Sequence, residues 1–218
     1  MKKTLVVLLL ALSIVGLKAQ EAKPDVLDLV YDLQKWKKDG KQMKLVWWIP
    51  TVYWQIALEQ SPGVSQSQID DIVAAVEQYT FIAAIDGRIG PYGLNYEDNI
   101  ALNIIDNKGE KINPLSVDAM SSQTKTVLSV LKPVLSNTIG QMGQNMQFFV
   151  FDCCDAEGKL LGNPTEEGLF KVVNNGDLFE WRLPLGSLTP KKTCPVDGEK
   201  LNGSWVYCPW HGEKLVKN

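Results

Sequence analysis

Two stretches near the C-terminus carry the residues best suited to chemistry. Cys194-Pro195-Val196-Asp197-Gly198-Glu199-Lys200-Leu201 recurs fourteen positions later as Cys208-Pro209-Trp210-His211-Gly212-Glu213-Lys214-Leu215, and both copies read C-P-x-x-G-E-K-L. His211, the single histidine of the chain, stands in the second copy where Asp197 stands in the first. Thiolate, imidazole and carboxylate all ligate zinc, and four protein ligands closing a tetrahedron make a structural rather than a catalytic site. The candidate metal ligands are therefore Cys194, Asp197, Cys208 and His211. A glycine follows the second ligand position of each copy, where a left-handed backbone would let the loop fold back around an ion.

Between the copies lies Asn202-Gly203, a strong signal for a type I′ hairpin turn. Such a turn would join the two knuckles and bring Cys194 and Cys208 to one end. The segment resembles a zinc ribbon, the family of paired C-P-x-C-G knuckles on a β-hairpin. The resemblance covers residues 194–215 only; Cys194 and Cys208 match the first ligand of each knuckle, while Asp197 and His211 replace the usual second cysteines. It implies a small structural zinc site. Two other outcomes stay open from the residues themselves: a Cys194–Cys208 disulfide, if the compartment is oxidising, or a ribbon that keeps its shape without metal. In each case the first role is local stabilisation, because a segment this short cannot bury enough core to fold unaided.

Other constellations are less specific. Cys153 and Cys154 are adjacent and offer a vicinal disulfide, a redox pair or a substitute metal ligand, or simply two reduced thiols at a strand end. Trp47, Trp48, Tyr53 and Trp54 cluster around Pro50; exposed, they would form a binding platform, but aromatics this dense usually fill a core. Asp86-Gly87-Arg88-Ile89-Gly90 begins a glycine-rich loop with Glu97 and Asp98 close behind. Neither H-E-x-x-H nor G-x-S-x-G occurs, and the one histidine serves better as a ligand than as a catalytic base.

Lys2-Lys3 followed by the apolar run Thr4–Leu17, with Ala19 ending a cleavage site, reads as a signal peptide over residues 1–19. Its loss removes three lysines and no acid, leaving 19 basic against 25 acidic side chains and a net charge of −6. A chain of that charge with no basic block has no electrostatic footprint for nucleic acid, and no later segment is long enough to span a membrane. Hydrophobic residues make up 45% of the sequence, which suits a packed core.

The elements that must position these groups follow from periodicity. Val26, Leu29, Val30, Leu33 and Trp36 recur at helical spacing up to Gly40. Leu45–Ile49 is an apolar run cut by Pro50, Thr51 can cap a short helix, and Ser65 with Gln68 forms a capping box for the next. Phe81–Ile85 reads as a strand broken at Asp86-Gly87, and 100–112 as a hairpin. Val117 to Gln141 is a long helix with Val127, Val130, Leu131, Val134 and Leu135 buried, and Pro133 should kink or divide it. Strands follow at Gln147–Asp152 and Leu178–Leu183, and Pro184 and Pro190 bracket a linker. The order implies an α+β fold: N-terminal helices, a mostly antiparallel sheet with a long kinked helix, and a small zinc-ribbon-like C-terminal hairpin. The expected units are 20–188 and 189–218.

The leading functional expectation is an exported bacterial-type protein, periplasmic or extracellular, that binds or assembles with a protein or small-molecule partner and is not an enzyme. The alternative is a secreted carboxylate-dependent hydrolase or carbohydrate-binding protein using the aromatic cluster and the 86–98 loop.

Overall fold

A computed structural model describes residues 24–217; the expected signal peptide lies outside them. The fold is α+β with antiparallel sheets. In chain order the elements are α1 (Val26–Leu33), β1 (Gln34–Asp39), β2 (Gln42–Ile49), α2 (Thr51–Glu59), α3 (Gln66–Val76), β3 (Tyr79–Gly90), β4 (Gly93–Tyr96), β5 (Leu102–Ile105), β6 (Lys111–Ile112), α4 (Ser122–Thr138), β7 (Gln147–Asp152), β8 (Gly168–Asn174), β9 (Asp177–Leu183), β10 (Lys192–Thr193), β11 (Lys200–Leu201) and β12 (Val216–Lys217). One sheet runs β1-β2-β3-β4, with β7 also paired to β3; a second runs β6-β5-β8-β9; a third, in the C-terminal segment, runs β11-β10-β12. Among the described residues, no helix is long and apolar enough to cross a membrane.

The aromatic cluster is core. Trp47, Trp48, Tyr53 and Trp54 are all buried, and Trp48 stacks on Phe170 of β8 at 4.3 Å while meeting Trp181 of β9 edge-on at 6.0 Å. These three rings join the first two sheets. The Trp181 indole donates to the Leu33 carbonyl at 3.2 Å, tying in the end of α1. No exposed aromatic platform therefore exists at these positions.

Several boundaries differ from expectation for identifiable reasons. The first helix ends at Leu33, not Gly40: Trp36 alone extends the apolar stripe, and 34–39 pairs with β2 through the two-residue loop Gly40-Lys41, where Gly40 has φ +53°. β3 runs unbroken through Asp86-Gly87, because Asp86 is a buried carboxylate and a Cβ on Gly87 would crowd Leu94. Helix α4 continues through Pro133. That residue lies on the exposed face, so water can serve the carbonyl four residues back that loses its donor. The buried stripe of α4 runs Thr124, Leu128 and Leu135, with Leu131 half-buried, while Val130 and Val134 face solvent. Thr124 belongs to that stripe because its hydroxyl donates to the Ala75 carbonyl of α3 at 2.9 Å. The capping box at Ser65 and Gln68 is present.

The segment between Pro184 and Pro190 is not a free linker. The Ser187 N–H donates to the Asp32 carboxylate at 2.7 Å. A Cβ on Gly186 would overlap the Asn202 side chain, and one on Gly203 would overlap Pro190 and Thr189. The C-terminal segment thus docks on the body by close backbone approach at two glycines.

Candidate metal centre

The repeat in sequence is a repeat in hydrogen bonding. In the first copy the Cys194 N–H donates to Glu199 O at 2.9 Å and the Gly198 N–H to Cys194 O at 3.0 Å. In the second, Cys208 N–H donates to Glu213 O at 2.8 Å and Gly212 N–H to Cys208 O at 2.9 Å. Thr193 pairs with Lys200 in one copy and Tyr207 with Lys214 in the other. Each C-P-x-x-G-E is therefore the turn of its own small hairpin, and Gly198 and Gly212 carry φ of +77° and +70° to close it.

This corrects the expected type I′ turn between the copies. Neither Asn202 nor Gly203 has positive φ. The Asn202 side chain instead accepts from the Ser204 N–H at 2.9 Å, and Gly203 allows the approach to Pro190. Asn-Gly signals a hairpin only where both residues are free to adopt left-handed geometry, and docking has fixed them otherwise.

Cys194, Leu201, Cys208 and Leu215, the equivalent first and last residues of the two copies, form a separate buried cluster. Both cysteines are free, and each is 1% exposed. Beside them, Nδ1 of His211 lies 3.4 Å from Sγ of Cys194 and 3.5 Å from Sγ of Cys208. The three ligand atoms lie within 4.8 Å of one another, a group that could hold a metal ion. Asp197 comes close without joining that group: its Oδ2 is 3.7 Å from His211 Nδ1, while its Oδ1 accepts the Glu199 N–H at 3.0 Å. Cys153 and Cys154, considered as substitute ligands, are not part of it.

The backbone prepares the sulfurs for negative charge. N–H groups of Val196 and Asp197 turn toward Cys194, and those of Trp210 and His211 toward Cys208. Burial pushes the Cys194 thiol up, and its contacts with Asp197 and Cys208 add to that against the two N–H groups. Burial acts on Cys208 too, but the two N–H groups, Cys194 and the His211 ring outweigh it and hold that thiol below its ordinary value. The Asp197 carboxyl is held down first by the Glu199 N–H, then by Cys194.

The spacing fits a tetrahedral ion. Bonds of about 2.3 Å to sulfur and 2.0–2.1 Å to nitrogen at the tetrahedral angle put sulfur and nitrogen about 3.6 Å apart. The two separations, 3.4 and 3.5 Å, fall within about 0.2 Å of that. Oxygen and nitrogen ligands would stand about 3.3 Å apart; Asp197 Oδ2 is near that separation from His211 but outside the group that lies within 4.8 Å, so its side chain has to turn toward the sulfurs to complete a tetrahedron.

The sequence singled out all four of these side chains. The donors it did not reveal are the backbone N–H groups; the signal for them is the proline after each cysteine, which leaves the next two N–H groups to face the sulfur. Asp86 is buried, accepting from Gln42 Nε2 and from Asn175 Nδ2 at 2.7 Å and pairing with Lys44 at 3.5 Å, whereas Glu97 and Asp98 are exposed. No protein-family model, curated protein or solved structure matches this chain.

Proposed function

We propose that the C-terminal segment is a zinc-ribbon-like structural site, with zinc held by Cys194, Cys208, His211 through Nδ1 and Asp197 through Oδ2, in an exported protein whose work is binding or assembly. The observation that carries the metal assignment is the near-equal distance of one imidazole nitrogen from two buried thiols. Two sulfurs, a nitrogen and a carboxylate oxygen suit zinc, which has no geometric demand beyond four close ligands. The ion would cross-link the two hairpins of a segment with only four buried residues in its own cluster.

A binding role is supported by what surrounds the site. Trp205, Tyr207 and Trp210 are 43%, 61% and 73% exposed, and Val206, between the first two, and Val196, the first-copy counterpart of Trp210, are exposed as well. Aromatic side chains left in water on so small a unit are characteristic of contact surfaces. Residues 189–218 also carry five lysines against three acids (Asp197, Glu199 and Glu213), opposite in sign to the acidic remainder. That combination suits a protein partner whose apolar face has an acidic rim. Export is supported by the Lys2-Lys3 and Thr4–Leu17 pattern.

The test is metal content and thiol counting on protein purified without chelator. One zinc per chain, with Cys194 and Cys208 alkylated only after chelation, is expected. An intact Cys194–Cys208 disulfide and no metal would overturn the assignment.

A further inference from the structure

Cys153 and Cys154 stand apart from the metal centre, immediately after β7. Their sulfurs are 2.6 Å apart, and both residues are half-buried. The backbone around them is firmly held. Cys153 N–H donates to Gln78 O at 3.0 Å, Leu161 N–H donates to Cys153 O at 2.9 Å, and Cys154 bridges to Leu160. The short loop between is closed by Asp155, whose N–H donates to Lys159 O at 2.8 Å and whose Oδ1 accepts the N–H groups of Glu157 and Lys159. A cavity of about 200 Å³ opens beside Cys153, walled by Thr51, Tyr79, Gly162, Asn163 and Pro164 among others.

We propose that Cys153 and Cys154 form a redox-active vicinal dithiol that a small-molecule disulfide oxidises reversibly to an intramolecular disulfide. The first cysteine thiolate attacks one sulfur of the small disulfide, forming a mixed disulfide and releasing one thiolate. The second cysteine then attacks the protein-bound sulfur, closes the ring and releases the second thiolate. The pair loses two electrons and two protons; the small disulfide becomes two thiols. Burial, the hydrogen bond and charge of Cys154 and the nearby Asp152 push the Cys153 thiol up to about 11, which disfavours Cys153 as the first attacker. Adjacent residues hold their Cα atoms about 3.8 Å apart, below the roughly 4.4–6.8 Å at which disulfides are relaxed. The closed form is therefore strained and readily reduced, which suits a switch rather than a permanent bridge. The neighbouring cavity, which Cys153 lines, leaves open space beside the sulfur that makes the second attack.

The tryptic peptide Thr126–Lys159 contains both residues and neither Cys194 nor Cys208, since Lys132 precedes proline. The full chain would be treated with oxidised glutathione, alkylated without reduction, digested and weighed. The expected peptide carries no alkyl group and is lighter by two hydrogens; dithiothreitol beforehand gives two alkyl groups. Cys153→Ser should stop at a glutathione adduct on Cys154. A wild-type peptide that takes two alkyl groups after oxidised glutathione, or retains glutathione, would overturn the proposal, and zinc content does not enter either readout.

Discussion

Asp86→Asn should unfold this protein's first two sheets from each other at a measurable cost, and the structure sets the size. Asp86 is 2% exposed and Lys44 is 6% exposed. The carboxylate accepts from Gln42 on β2 and Asn175 in the β8–β9 turn, and pairs with Lys44 on β2. Lys44 also reaches the carbonyls of Asn174 and Asn175 at 3.3 and 3.4 Å and Asp177 at 2.6 Å. Removing one partner of a buried ion pair costs about 3–5 kcal/mol because the other charge is stranded. Here Lys44 keeps Asp177 and two carbonyls, so the loss should fall to about 2–3 kcal/mol. For a chain this size that lowers Tm by about 4–12 °C. Urea melts followed by tryptophan fluorescence measure it. With Lys44→Met, the double variant should cost less than the sum of the singles by about 1.5 kcal/mol. A loss under about 0.5 kcal/mol, or strict additivity, would refute the assignment of this network as the pin between the sheets.

Other outcomes follow from the same geometry. Gly203→Ala should cost about 1–3 kcal/mol through overpacking against Pro190 and Thr189; proteolysis near Lys191 should speed up while zinc content holds. The Lys44 hydrogen bond holds the Asp177 carboxyl below its usual value against a lesser push from burial. Its contribution is thus fully present above the unfolded value near 3.9 and lost as pH falls through the folded one. Half-exposure limits it to about 1 kcal/mol, so Asp177→Asn should weaken the fold at pH 7 and cease to matter once acid protonates the native carboxyl. In zinc competition with a chromogenic chelator, Asp197→Asn should weaken binding and His211→Ala should weaken it more, since only His211 lies within 4.8 Å of both sulfurs; the reverse order would contradict that geometry.

Much of the fold was legible because its signals are local. The Ser65–Gln68 box, the 100–112 hairpin and β7 each depend on neighbours in sequence. What escaped depends on distant contacts. Asp86-Gly87 has the composition of a turn, and only a lysine on β2 and an asparagine between β8 and β9 make it strand interior. Asn202-Gly203 likewise has hairpin composition, yet its conformation is decided by docking on Gly186 and Pro190. At the site, residue identity pointed to Cys194, Cys208 and His211, which the fold brings together, and to Asp197, which lies beside that group. The placement of the hairpins inside each copy, rather than between them, became visible only with the repeated Cys–Glu and Gly–Cys hydrogen bonds.

Zinc-edge X-ray absorption on the full chain, purified without chelator, tests the metal centre most directly. Two sulfurs at about 2.3 Å and two nitrogen or oxygen ligands at about 2.0–2.2 Å are expected, with the nitrogen signal lost in His211→Ala. Absence of zinc, or a shell without sulfur, would contradict the assignment of Cys194, Cys208 and His211 as its ligands.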